Sequence, residues 1–168
     1  MLNAFAAWLS TTPLTAFLEN AAWAVPAIQT VHILSIAIVF GGALFINLRI
    51  LGVFETGRPV QAVLRRFLPP LTWAVAVLAI TGALLIASEP NRAIFRIVFW
   101  TKMGLIGLAL AATWGQSRRV ARHAATVPAH PIRLADRALA LLILGVWAGV
   151  IFAGRWIGYV SGWPGSPT

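Results

Sequence analysis

The chain has 168 residues, 60% of them hydrophobic and only 10% charged, with a mean hydropathy of +0.85 and a formal charge of +9. A soluble domain carries about 25% charged residues, so this composition excludes an ordinary water-soluble fold. The lack of cysteine excludes disulfides, thiolate metal sites and cysteine nucleophiles, and arginines placed in loops that flank apolar stretches argue against a nucleic-acid surface.

Residues 2–20 are too polar and too broken to span a bilayer. Thr12 followed by Pro13 reads as an N-cap and first-turn proline. It predicts a short amphipathic helix from Pro13 to about Asn20 in the outer interface, within an N-terminal segment 1–24. A frayed terminus is the plain alternative. No basic region precedes the first apolar stretch, so the start does not read as a cleaved signal peptide.

A spanning helix needs about 20 apolar residues to cross a hydrocarbon core about 30 Å thick. Residues 20–48, 67–88 and 138–154 carry no formal charge, and residues 97–117 carry only Lys102. These stretches predict four spans, at about 25–48, 69–88, 93–116 and 137–158, in a bundle over residues 25–160. Pro26 falls in the first turn of the first span. Pro69-Pro70 marks the start of the second and Pro90 its end. Residues 127–131 read as a loop, and 161–168 as a disordered tail.

Arg49, Arg58, Arg65 and Arg66 follow the first span, and Arg118, Arg119, Arg122, Arg133 and Arg137 follow the third. Together they make nine of the thirteen basic residues. Basic residues accumulate on the cytoplasmic face, so both termini and the turn at Glu89-Pro90-Asn91 are expected outside. The predicted fold is an all-α integral membrane four-helix bundle, N-out and C-out, with a short N-terminal interfacial helix. Its expected location is a bacterial inner membrane, with both termini periplasmic. Trp8, Trp23, Trp100, Trp156 and Trp163 then fall near the outer interface, and Trp73 and Trp114 near the inner one. Trp147, nearer mid-span, is the exception. Gly145, Gly149 and Ala153 recur every fourth position, as do Ala37 and Gly41. Such stripes permit close helix packing or accommodate the flat face of a cofactor.

An ionisable group inside a span is costly and faces the bundle interior. His32 lies about six residues, or about 9 Å, into the first span from Pro26. Lys102 lies about six to nine residues into the third, which also starts outside. At that depth the second and fourth spans bring Thr81-Gly82 and residues 150–155. This predicts a pocket open to the periplasm and lined by His32, Lys102, Thr81 and Arg155, with Gln29, Asn91, Arg92 and Arg96 at its rim.

A neutral imidazole ligates haem iron, binds a metal or hydrogen-bonds a quinone carbonyl. The other reading of His32 is a packed ring bonded to a backbone carbonyl. Lys102 reads as a cation for a carboxylate such as a haem propionate, as an iron ligand, or as a snorkelling side chain. Arg92, Arg96 and Arg155 also read as plain surface charge, Asn47 and Arg49 as anchors closing the first span, and His123 and His130 as loop residues without a role. The spans hold no paired carboxylates for acid–base work. There is no glycine-rich phosphate loop and no Ser/His/Asp set. Beyond Met1 the only sulfur is Met103, a poor supply for copper(I).

The run WAVPAIQTVHILSIAIVFGGALFINLRILG, followed by LPPLTWAVAVLAITGALLIASEPNRAIFRIVFWTKMGLIGLAL, resembles a family of small, uncharacterised bacterial four-helix membrane proteins over about residues 13–118. More distantly, VHILSIAIVFGGALF and FWTKMGLIGLALA resemble the CopD copper-resistance membrane proteins and the HemJ haem-associated protoporphyrinogen oxidases. In the HemJ-like proteins a first-span histidine and a lysine in a later span are key residues, and His32 and Lys102 stand at the matching motif positions. That resemblance implies a b-type haem or porphyrin site. The chain departs from it in having no second histidine within the spans, which excludes a bis-histidine haem inside one protomer. Its sulfur is also too scarce for a convincing copper importer.

The expected function is a membrane-embedded haem b-binding protein with His32 as axial ligand. Lys102, Arg92, Arg96 and Arg155 would stabilise propionates or a bound acidic substrate. Electron transfer to quinone or a periplasmic partner is the expected use, and any catalysis would be that of an oxidoreductase. The alternatives are a non-catalytic accessory subunit of a larger membrane complex and a copper or small-solute transporter. The partners expected are the lipid bilayer and a redox partner or larger complex, with no nucleic acid.

Overall fold

The structure, a computed structural model, describes residues 2–90, 97–126 and 132–156, which form six helices and no strand. Two short helices come first, α1 (Leu2–Ser10) and α2 (Pro13–Asn20). Thr12 has extended backbone, and its Oγ1 accepts the Thr15 N–H, with Pro13 in the first turn. The predicted cap and helix are therefore present. The preceding helix α1 was not expected. Buried Thr15 shares its single hydroxyl proton between Leu9 O at 2.8 Å and Ala87 O at 3.0 Å. That bond, with Leu18 packed among Ala24 and Ala87, ties the pair of short helices to the end of the second long helix.

Four long helices follow: α3 (Ala24–Leu51), α4 (Val60–Ser88), α5 (Ile97–Thr126) and α6 (Leu134–Trp156). Gly52 ends α3 at φ +84, where a side chain would be strained, and Val53 N–H closes the turn on Leu48 O at 2.9 Å. The Arg49 guanidinium donates to Arg58 O at 2.6 and 3.1 Å, so Arg49 anchors the loop as expected. Pro69 and Pro70 do not start α4; they lie inside it. An interior proline costs a helix about 3 kcal/mol. Here the carbonyls left free belong to exposed Arg65 and Arg66, which water reaches. The extra turns are held by Val60 and Leu64, buried against Ile46, Ile50, Val120 and Ala140.

Helix α3 packs most extensively on α4, α5 on α6, and α3 also on α6, while α4 and α5 touch sparsely. The four form a ring around a core of Val39, Ala43, Leu71, Ala74, Ala109, Ile143, Trp147 and Val150. Ile33, Leu34, Ile80, Leu108, Leu142 and Phe152 project outward and are at least half exposed. So large an apolar perimeter suits hydrocarbon, not water.

Three helices are long and apolar enough to cross a membrane, Ala24–Leu51, Val60–Ser88 and Leu134–Gly154. Among the described residues α5 does not meet that measure. Four spans were expected; three helices meet the criterion.

The structure corrects the small-residue stripes too. A β-carbon added at Gly41, Gly145 or Gly149 would meet nothing within 4 Å, so these positions make no close helix contact among the described residues. The close approach of α3 to α4 uses Gly42 instead, where a β-carbon would stand 3.2 Å from the Leu71 side chain and 3.3 Å from Phe67 O. Trp147, out of place as an interfacial residue, is buried and donates its Nε1–H to Thr113 Oγ1 at 3.1 Å. It is a core residue with a satisfied polar tip.

Candidate functional site

The site lies about two helical turns from the middle of the core. Stepping about seven residues, or about 10 Å, from Val39, Ala74, Ala109 and Trp147 towards the end capped by α1 and α2 arrives at His32, Thr81, Lys102 and Gly154. One such step replaces an apolar layer with a polar side chain on three of the four long helices and with Gly154 on the fourth.

His32 is half-buried, and its Nδ1 lies 2.8 Å from Thr81 Oγ1. Thr81 is buried and donates its hydroxyl proton to Val77 O at 2.7 Å, one helical turn back. A hydroxyl has a single proton. When that proton goes to Val77, the oxygen accepts from the ring, an arrangement that goes with the tautomer protonated at Nδ1. Nε2 then keeps an in-plane lone pair and has no hydrogen-bond partner among the described residues. Gly82 makes room for the ring: His32 Cε1 lies 3.6 Å from where a β-carbon of Gly82 would stand.

Lys102 reaches the same level from α5. Its side chain lies across Gly154 of α6, with Cε and Nζ each 3.6 Å from the position of a β-carbon there. It is half-buried and has no hydrogen-bond or carboxylate partner among the described residues. The layer therefore pairs one electron-pair donor with one uncompensated cation.

The predicted pocket is thus assembled in part. His32, Thr81 and Lys102 share a level, and His32 touches Thr81. Gln29 is exposed on α3. Asn91, Arg92, Arg96 and the side chain of Arg155 lie outside the described residues. Gly154 lies within the stretch 150–155 expected at this depth, one heptad beyond Trp147 on α6. Met103 is 37% exposed.

Among the described residues no three metal-ligating side chains come together. A bare metal ion would find one imidazole and a repelling ammonium, which does not fit. A planar group that brings its own equatorial donors and carries carboxylates asks the protein for one imidazole and a cation. Those are the two side chains present.

The family described as a family of unknown function, DUF6644, matches residues 7–160. No curated protein and no solved structure matches the chain.

Proposed function

The chain belongs to the DUF6644 family, a family of unknown function, and from its polar layer we propose that it is a membrane-embedded haem b-binding protein that transfers electrons. The reading also takes all four long helices as spans, with both termini on the periplasmic side of a bacterial inner membrane.

The observation that carries the proposal is the bond between His32 and Thr81. Ligating histidines commonly donate their other ring N–H to an acceptor that fixes tautomer and orientation. Thr81 would do this for Nδ1 and leave Nε2 of His32 to hold the haem. Lys102 neutralises a propionate, and in sequence Arg92, Arg96 and Arg155 supply further cations for a second. Haem, when bound, supplies reversible one-electron transfer. The residues of the chain hold it, set its level in the membrane and exclude water through the apolar layer beneath. The other two histidines, His123 and His130, stand far along the sequence towards the arginine-rich end. His32 would be the imidazole that holds the haem.

The test is an absorption spectrum of protein purified aerobically in mild detergent from haem-replete cells. A Soret band is expected in the wild type, with a carbon monoxide shift on reduction that reports the open axial position. Its absence from both purified and haemin-titrated wild type overturns the proposal.

A further inference from the structure

At the arginine-rich end, the sparse contact between α4 and α5 opens into a groove of about 690 Å³. Its wall is apolar, with Leu64, Leu68 and Trp73 of α4. Arg65 of α4 and Arg118 of α5 also line it; both are exposed, and neither pairs with a carboxylate among the described residues. Ser117 lines the same groove at 2% exposure. Its hydroxyl is buried with no hydrogen-bond partner among the described residues. A serine in a helix has the carbonyl one turn back to bond, and a buried hydroxyl left without a partner is costly.

We propose that this groove binds one anionic phospholipid. The phosphate sits between the Arg65 and Arg118 guanidinium groups and accepts from Ser117, and an acyl chain lies along Leu64, Leu68 and Trp73. Charge selects the occupant, because a zwitterionic headgroup carries its own cation and leaves the two arginines uncompensated. A free phosphate would satisfy the arginines but leave the apolar wall unfilled. Basic pockets between membrane helices recognise such headgroups. The site is on different helix faces and at the opposite end from His32, so it stands whether or not haem binds.

Lipid-stripped protein in mild detergent is titrated with phosphatidylglycerol and, separately, with phosphatidylcholine of the same acyl chains. Thermal unfolding and native mass spectrometry report binding. Phosphatidylglycerol is expected to raise the unfolding midpoint and to be retained as a single lipid, whereas phosphatidylcholine is not. The double variant Arg65→Gln/Arg118→Gln weakens phosphatidylglycerol binding roughly thirty-fold and leaves the lipid-free midpoint unchanged. Ser117→Ala lowers lipid retention while holding or raising the lipid-free midpoint, which a purely structural serine would not do. Equal responses to the two lipids, or wild-type binding by the double variant, overturns the proposal. Inorganic phosphate reproducing the full effect at the same concentrations also overturns it, in favour of a soluble anion.

Discussion

Thr81 decides what His32 can do, because it consumes one ring nitrogen and sets the protonation of the other. Thr81→Val keeps the shape and removes the acceptor. It is expected to weaken haem binding by about 10–100-fold, the usual cost of losing such an orienting partner, whereas Thr81→Ser retains most of the affinity. Haemin titration followed at the Soret band measures both, and a valine variant indistinguishable from wild type would make the threonine incidental. His32→Ala is expected to lose the band altogether while far-ultraviolet circular dichroism stays unchanged. Lys102→Gln should keep the band position and lose about tenfold in affinity, as removal of a charge-assisted contact does. The common depth of His32, Thr81 and Lys102 was legible in the sequence, since helical rise fixes depth once the start of a span is known. The tautomer was not, because it depends on where a single hydroxyl proton goes, here to the Val77 carbonyl. Nor was the seat of Lys102 on Gly154, which depends on how α6 is rotated.

Rotation is also where the sequence ran out at the level of the helices. Helix α3 is apolar all round, so hydrophobic periodicity marks no inner face. Gly41 and Gly42 are adjacent, and only the packed helix shows that Gly42 meets α4 while Gly41 meets nothing. The pair makes a matched test. Gly42→Ala places a methyl 3.3 Å from a backbone carbonyl that cannot swing aside, forcing α3 and α4 apart. Overpacking costs about 1–3 kcal/mol, and the helix propensity regained is about 1 kcal/mol, so a net loss of about 1 kcal/mol is expected. Gly41→Ala carries only the propensity gain and should be neutral or stabilising. Thermal unfolding in one detergent compares them; equal midpoints would mean the close approach is relaxed in solution. The extent of α4 beyond Pro69-Pro70 was hidden for a related reason. Proline reads as a boundary from local chemistry, yet distant partners such as Ile46, Val120 and Ala140 hold the helix below it.

For the whole molecule, the asymmetry of charge is the strongest remaining signal. Each cationic side chain near an anionic leaflet is worth about 1 kcal/mol, and nine of the thirteen basic residues gather at one end. Turning the bundle over would forfeit that attraction and place the arginines against the sense of the positive-inside rule. The chain has no cysteine, so single cysteines report sidedness without background. Ser10→Cys in α1 and Gly57→Cys in the loop before α4 both replace exposed residues at opposite ends. A membrane-impermeant maleimide is expected to label Ser10→Cys in intact spheroplasts and Gly57→Cys only after lysis. The reverse pattern would put the His32 layer in the inner half of the bilayer, where a periplasmic redox partner could not approach it. Labelling of both positions from one side would mean an even number of crossings between them, so that α3, the one long helix between residues 10 and 57, does not cross the membrane.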